Sequence, residues 1–397
     1  MPQRHRHKGA VTRLAWLAFL VGLADFVFGA VYVTLMLEAG LDPKRLGVGF
    51  FLMMAIATVV EIFSGDLGDR WGHRKLACYG LTLWGLALVL FVYAETMPLL
   101  MLGALTVWSI GQALYSGAPL SLTINAIPQQ AVTWRDHAVR WHSIAGWIGR
   151  SCGGAVVFFG VWVFDFRQLV GGAGVILVTL AVWLALRWPE SEKHATTSTF
   201  TGFLGRAATG WNRTVTVALC VSMIAAGLLS VILFAWQPML NEVAGIGVEI
   251  NGLSLLLMTI CAALGAWGSN WKLSASRLGL VLVVGLCAVS LSFVAFGVYP
   301  GAVTAIVAVL LTEVVISFCL TTTVIIAHQN FADEHRNLQW SIFSAAIGMA
   351  MAVTDLIFGP VWSAYGMSAA VMYVGCGFFL AVVVLAAVLV HRNGSLV

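Results

Sequence analysis

Apolar residues run along most of the chain in stretches of about 20, separated by shorter polar segments. One helix needs roughly 20 mostly apolar residues to cross the hydrocarbon core of a bilayer. Twelve such stretches occur, at residues 14–37, 46–65, 76–94, 97–122, 143–164, 168–188, 214–238, 251–270, 278–297, 301–327, 340–362 and 369–390. The pattern predicts an all-α membrane protein with twelve transmembrane helices, numbered here as spans 1 to 12.

The longest polar connection joins span 6 to span 7 and is rich in Ser, Thr and charged residues. It predicts two six-helix bundles, residues 1–188 and 214–397, connected by a cytoplasmic linker at residues 189–213. The glycine-rich and basic segment 265–277 follows span 8 as a similar segment follows span 2, which is a weak sign of duplication. Duplicated halves are common in transporters, so we expect the two bundles to be pseudo-symmetric.

The composition agrees with a membrane protein, because 60% of the residues are hydrophobic and only 10% are charged. Soluble domains have about 25% charged residues. The basic opening resembles the start of a signal peptide, but the apolar run that follows is too long for one and no cleavage site follows it. We therefore expect a retained first helix. All seven cysteines lie within apolar runs and none forms a CxxC pair, so neither disulfides nor a metal site is expected.

The basic residues predict the orientation in the membrane. With the N-terminus inside, seventeen lysines and arginines fall on the inner side, and three, Lys44, Arg45 and Arg167, fall on the outer side. Basic residues are enriched in cytoplasmic loops. We expect both termini to be cytoplasmic and the chain to be a multi-pass protein of the bacterial cytoplasmic membrane. Arg150, the remaining base, lies within span 5.

The densest run of charge lies between spans 2 and 3, in Gly65-Asp-Leu-Gly-Asp69-Arg70-Trp-Gly72-His-Arg74-Lys75. This run resembles the G-x-L-a-D-R-x-G-R-K signature of the major facilitator superfamily, and it lies at the same place in the topology. Glu61, Gly65 and Asp69 are four residues apart and share one helix face. The resemblance implies a latch of the inner gate, formed by Glu61, Gly65, Asp69, Arg70, Gly72, Arg74 and Lys75. The alternative is a basic turn that only sets the topology.

The resemblance implies the superfamily's fold and a secondary transporter, not an enzyme, that works by alternating access. No P-loop motif occurs, so no ATP site is expected; protons are the expected coupling ion and no other cofactor is expected. The Gly149–Gly154 segment is similar to the G-P-x-x-G-G element of drug–proton antiporters, with Arg150 in place of the proline. We expect proton-coupled efflux of small amphipathic compounds, such as drugs or metabolites. The alternative is import of a nutrient or siderophore-like organic anion.

Ionisable residues within spans are costly and usually face a cavity or a partner. Asp25, Glu313 and Asp355 are therefore the candidates for proton coupling; the alternative for each carboxylate is a structural hydrogen bond to a neighbouring helix. The superfamily's cavity is lined by spans 1, 4, 7 and 10, and Asp25 and Glu313 lie on two of these. Arg150 either balances Glu61 or Asp69 or binds an anionic substrate.

The remaining cavity candidates are polar or aromatic residues, mostly on the same four spans. They are Phe28, Tyr32, Trp108, Gln112, Tyr115, Arg150, Ser230, Gln237, Ser317 and Thr321. An apolar cavity with a few polar anchors suits a small organic molecule, although such residues also pack helices together. A small-molecule substrate and the lipid bilayer are the expected partners, with no nucleic acid and no metal, and a monomer is expected.

Overall fold

The computed structural model describes residues 2–94, 97–128, 131–188, 211–271, 273–331 and 336–393. Within these ranges the chain is helical and contains no β-strand, which confirms the predicted all-α membrane fold. Most of the predicted linker lies outside the described residues. The helices are α1 (Pro2–Gly29), α2 (Tyr32–Glu38), α3 (Pro43–Trp71), α4 (His73–Tyr93), α5 (Pro98–Tyr115), α6 (Ala118–Asn125), α7 (Val132–Gly160), α8 (Phe166–Arg187), α9 (Arg213–Pro238), α10 (Asn251–Gly268), α11 (Ala275–Val298), α12 (Ala302–Asn330), α13 (Arg336–Tyr365) and α14 (Met367–Asn393).

Eleven helical segments of the described chain are long and apolar enough to cross a membrane. The predicted span 5 lies in α7, a continuous 29-residue helix that is not one of these eleven segments. Its N-terminal half contains the charged residues Arg135, Asp136 and Arg140. Two spans consist of two helices each: α1 and α2 form span 1, and α5 and α6 form span 4. A π-helical turn, Met239–Val243, continues α9.

The break in span 1 is stabilised by a side chain from α10. Nδ2 of Asn251 donates a hydrogen bond to the carbonyl oxygen of Ala30 at 3.1 Å, and Asn251 is fully buried. The bond matters because a backbone carbonyl that has lost its helical partner needs another donor when no water is near.

Replacing Asn251 with leucine is expected to lower the free energy of unfolding by about 1–2 kcal/mol, because the Ala30 carbonyl would be buried without this donor. Unfolding of the purified protein in a mixed detergent titration would measure the change. Asn270→Leu is the matched control, since the exposed side chain of Asn270 donates to the nearby Trp267 carbonyl, three residues earlier in the sequence. Equal stability of the Asn251 variant and the wild type would contradict the role given to this bond.

The contacts between Cα atoms divide the chain into two compact units. Unit 1 comprises Met1–Leu41, Ile56–Thr197 and Glu249–Leu256, and unit 2 comprises Asp42–Ala55, Ser198–Val248 and Leu257–Val397. The start of α3 therefore groups with unit 2, and the start of α10 groups with unit 1. The division into residues 1–188 and 214–397 stays a prediction.

Within each unit, glycines allow helices to approach closely. In unit 1, a Cβ atom on Gly153 of α7 would lie 2.5 Å from the carbonyl oxygen of Leu23 in α1. In unit 2, Gly47 of α3 and Gly359 of α13 meet so closely that a Cβ on Gly47 would lie 2.9 Å from the Cα of Gly359. These close crossings determine the direction of neighbouring side chains, including those of Arg150 in α7 and Asp355 in α13.

Candidate functional site

The main candidate site of unit 1 is built around Arg150, in the part of α7 that corresponds to the predicted span 5. Its guanidinium carbon lies 4.9 Å from the ring centroid of Trp147 and 5.5 Å from that of Phe26. Arginine is attracted to the faces of aromatic rings at such distances. The buried Nε of Arg150 donates to no other atom in the part of the chain that the structure describes.

The close crossing of α1 and α7 determines where Arg150 lies. Gly149 and Gly153 leave room for the α1 backbone, and Gly22 of α1 lies directly against the Arg150 segment. A Cβ on Gly22 would be 3.2 Å from the Arg150 nitrogen and 3.4 Å from its Cγ. The Arg150 side chain therefore leaves α7 alongside α1, on the stretch of α1 that carries Asp25.

Asp25 is half-buried and lies three residues beyond Gly22. The positive charge of Arg150 acts on Asp25, and also on Tyr115 and His142. Among the described side chains, however, Asp25 and Arg150 do not form an ion pair. The arginine is therefore held mainly by aromatic rings while a carboxylate lies nearby.

Several predicted cavity residues of unit 1 are brought together. Phe28 contacts Tyr32, with ring centroids 5.7 Å apart, and Trp108, at 5.4 Å. Phe91 of α4, which the sequence did not single out, is closer still to Phe28, at 4.6 Å. Gln112 lies between Trp108 and Tyr115 on the same face of α5 and is half-buried. The structure thus places an aromatic cluster beside spans 1 and 4.

Two polar atoms near this cluster are buried without a partner among the described residues, namely Nε1 of Trp108 and the hydroxyl of Tyr115. Buried polar atoms of proteins nearly always have hydrogen-bond partners, so each exception needs an explanation. Indole N–H and guanidinium N–H groups only donate, and a phenol can donate. Together with Arg150, these groups suit a ligand that offers acceptors, such as a carboxylate.

In unit 2, the structure joins two predicted residues that the sequence did not connect. The hydroxyl of Ser230 in α9 donates to Oδ1 of Asp355 in α13 at 2.6 Å. Asp355 is only 3% exposed, and its carbonyl oxygen lies at the crossing with Gly47. This contact favours the alternative stated for Asp355, a hydrogen bond between helices. Gln237, seven residues after Ser230, is fully buried.

Glu313 lies in the middle of α12 and is 9% exposed. Ser317 and Thr321 follow it at intervals of four residues and are half-buried. Gly265 of α10 lies against the backbone of Val314, and the charge of Glu313 acts on Cys261, one turn earlier in α10. The predicted polar stripe thus begins beside α10.

The charged motif occupies the end of α3 and the start of α4. Gly72 separates the two helices with a φ of +98°, a left-handed conformation that favours glycine. Arg74 donates to the carbonyl oxygens of Trp188 at 2.9 Å and Ala185 at 3.3 Å, at the C-terminal end of α8. Cations are favourable at this end of a helix. The sequence did not reveal this role of Arg74.

The described side chains of the other motif residues do not show whether the motif forms a latch. The side chains of Glu61, Arg70 and Lys75 are exposed. The helix runs through Gly65 and Asp69, but the side chain of Asp69 lies outside what the structure describes. The predicted latch stays a prediction. No group of three or more His, Cys, Asp or Glu residues that could hold a metal ion occurs among the described residues.

These features, a helical membrane fold with ionisable groups inside its spans and a charged turn between spans 2 and 3, define a multi-pass transporter. The family model of the Major Facilitator Superfamily matches residues 14–332. The chain belongs to this superfamily, and it is a transporter rather than an enzyme.

Comparisons with individual proteins agree with this assignment to a family of transporters. The chain is 27% identical over 186 residues to the 4-hydroxybenzoate transporter PcaK of Pseudomonas aeruginosa; the match covers 45% of this chain and 39% of that protein. The crystal structure of the nucleoside transporter NupG is similar with a TM-score of 0.74 and 15% identity, over 95% of this chain and 98% of NupG. The human organic anion transporter MFSD10 gives a TM-score of 0.65 and 12% identity, over 96% and 99%. At these identities, the structures show the fold alone.

Proposed function

We propose that this transporter takes up small organic anions with an aromatic or apolar body, and that uptake is coupled to protons. The observation that carries the proposal is the surroundings of Arg150. Its guanidinium carbon lies 5.5 Å from the ring centroid of Phe26 and 4.9 Å from that of Trp147. Among the described residues, its buried Nε has no partner and its guanidinium forms no ion pair with Asp25. This favours the importer alternative over the efflux of drugs or metabolites.

The chemistry of arginine supports an anionic substrate. A guanidinium group presents several N–H donors in a plane that matches a carboxylate, and charge-assisted bonds of this kind are stronger than neutral ones. Trp108 and Tyr115 supply two further buried polar groups on α5. The aromatic cluster around Phe28 suits the body of the substrate. An apolar site with a few polar anchors is typical of small-molecule binding.

The similarity to PcaK supports the same class of substrate. Its name gives 4-hydroxybenzoate, which carries a carboxylate on an aromatic ring. Because the match covers less than half of either protein, we take from it the class of substrate and not the compound.

Asp25 supplies a physical route to coupling. A carboxylate bound to Arg150 would neutralise part of the charge that favours ionised Asp25, so anion binding would favour protonation of Asp25. By linkage, protonation of Asp25 would favour anion binding to the same extent. Glu313 is the second candidate, in unit 2, because it is buried within a span. We assign Asp355 to a structural bond with Ser230.

The orientation and location that we propose rest on the distribution of basic residues. The excess of seventeen basic residues over three supports cytoplasmic termini, and we propose the bacterial cytoplasmic membrane as the location. We propose that a single chain is the working unit and that alternating access is the mode of transport.

Efflux of amphipathic compounds is the second candidate, and the aromatic cluster of Phe28, Tyr32, Phe91 and Trp108 favours it. Such a cluster suits an apolar compound with or without a charge. The two candidates differ in the sign of charge they require and in the direction of the proton gradient that drives accumulation.

The test is uptake into proteoliposomes of radiolabelled aromatic carboxylates and of their neutral amides, with a proton gradient imposed in either direction. We expect carboxylate accumulation when the proton gradient is directed into the liposome. Asp25→Asn is expected to retain exchange of substrate across the membrane while losing acceleration by the gradient. Asp42→Asn, on the outer loop, is the matched control. Accumulation of the amides alone would contradict anion transport, and an unchanged gradient response in Asp25→Asn would contradict the role of Asp25.

A further inference from the structure

A cavity with a volume of about 520 Å³ lies between α1 and α7. Its walls are mostly apolar and aromatic, and include Ala15, Trp16 and Phe19 from α1 with Trp141, Ala145 and Ile148 from α7. We call this cavity the α1–α7 groove. One end is polar, because Lys8 and His137 belong to its lining.

The groove is distinct from the site at Arg150. Trp16 precedes Asp25 in α1 by nine residues, and Trp141 precedes Arg150 in α7 by nine residues. Nine residues correspond to about 180° around a helix with 3.6 residues per turn. The groove therefore opens on the opposite side of the α1–α7 pair from Asp25 and Arg150.

The rim of the groove is exposed and apolar. Trp16 is 60% exposed and Trp141 is 49% exposed, and Ile148 is exposed as well. Trp16 and Phe19 lie within the predicted span 1, so we expect the rim of the groove to face the lipid bilayer. Tryptophan concentrates at the boundary between hydrocarbon and headgroups. The groove thus crosses this boundary, with Lys8 toward the water and Phe19 toward the hydrocarbon.

The length of the groove and the charge at its polar end indicate which molecule occupies it. Lys8 and Phe19 lie eleven residues apart in the sequence, about 16 Å along the helix, which is enough for a headgroup and the upper part of an acyl chain. An ammonium and an imidazole at the polar end can donate to a phosphate, and anionic lipids are attracted to basic residues next to a span. We propose that the α1–α7 groove binds one anionic phospholipid, with the phosphate at Lys8 and His137 and an acyl chain between Trp16 and Ile148.

The test is native mass spectrometry of the purified protein after exchange into detergent containing either phosphatidylglycerol or phosphatidylcholine. We expect one phosphatidylglycerol to be retained at a collision energy that removes phosphatidylcholine. The double change Lys8→Gln and His137→Gln is expected to reduce this retention about tenfold. Lys44→Gln, which removes a base from the predicted outer side, is the matched control and is expected to retain the lipid.

Ala145→Trp provides an independent test, because the added indole fills the groove without removing a charge. Its melting temperature and substrate exchange show whether the variant is folded. We expect the folded variant to lose the retained phosphatidylglycerol. Equal retention of the two lipids by the wild type, or full retention in both the double variant and Ala145→Trp, would overturn the proposal.

Discussion

Replacement of Arg150 with glutamine is expected to weaken the binding of organic anions by about 10- to 100-fold. The reason is the loss of a charge-assisted hydrogen bond; such a bond contributes about 1.5–3 kcal/mol, and each 1.4 kcal/mol is a factor of ten. Transport at low substrate concentration should fall by a similar factor. Initial rates of uptake into proteoliposomes over a range of substrate concentrations would measure the change.

Two further variants separate anion recognition from charge alone. Arg140→Gln removes the same charge from an exposed position of the same helix and should leave transport within about twofold of the wild type. Arg150→Lys keeps the charge but loses the planar donors, and it should fall between the wild type and the glutamine variant. Unchanged affinity in Arg150→Gln would show that the arginine only packs against Phe26 and Trp147.

The second large effect is expected from Gly153→Leu, which should prevent α1 and α7 from packing. A Cβ at this position would lie 2.5 Å from the Leu23 carbonyl oxygen and 2.9 Å from the Phe26 Cβ, so the backbone of α1 would have to move. Overpacking of a tight contact typically costs about 1–3 kcal/mol, and backbone displacement adds to this. We expect a large loss of folded protein in size-exclusion chromatography and a lower melting temperature.

The control for this prediction is Gly172→Leu in α8. Apart from the adjoining residues and backbone of α8 itself, no atom of the described residues lies within 4 Å of a Cβ built on Gly172, so the side chain has open space. This variant should fold as the wild type does. Gly153→Ala should have an intermediate effect, since it adds the clashing Cβ without the larger side chain. Normal yield and stability of Gly153→Leu would contradict the tight α1–α7 crossing.

The helical membrane fold and the superfamily could be predicted from the sequence because the signals are local. Each span is a continuous apolar run, and bilayer thickness alone sets its length. The charged turn at Gly72 is likewise a continuous motif. The break at Ala30 was missed, because apolar residues continue across it and only the Asn251 contact shows how it is stabilised. The break at Ser116 was missed as well, although Gly117 and Pro119 mark it in the sequence.

The arrangement of the candidate site could be predicted only in part. The faces of single helices follow from periodicity, which is why Trp108 and Tyr115 were identified together. Contacts between helices depend on their relative rotation and depth, which periodicity does not supply. The packing of Arg150 against Phe26 of α1 was therefore missed, as was the bond between Ser230 and Asp355. The contact of Arg150 with Trp147, three residues earlier in α7, is of the kind that periodicity does supply.

The motif residue Arg74 illustrates the same limit. Its place after Gly72 predicted a cytoplasmic charge and, by resemblance, a part in the latch. Its bonds to the end of α8 involve residues more than 100 positions away in the sequence. Nothing in the local pattern specifies this partner.

The central claim, recognition of an organic anion at Arg150, is tested most directly by comparing an aromatic carboxylate that the transport assay identifies with its neutral amide. The two compounds share ring and size but differ in charge, and isothermal titration of the purified protein would measure the affinity for each. The account predicts that the carboxylate binds at least about tenfold more tightly and that Arg150→Gln abolishes this preference. Equal affinity for both compounds, or a preference that survives in Arg150→Gln, would contradict it.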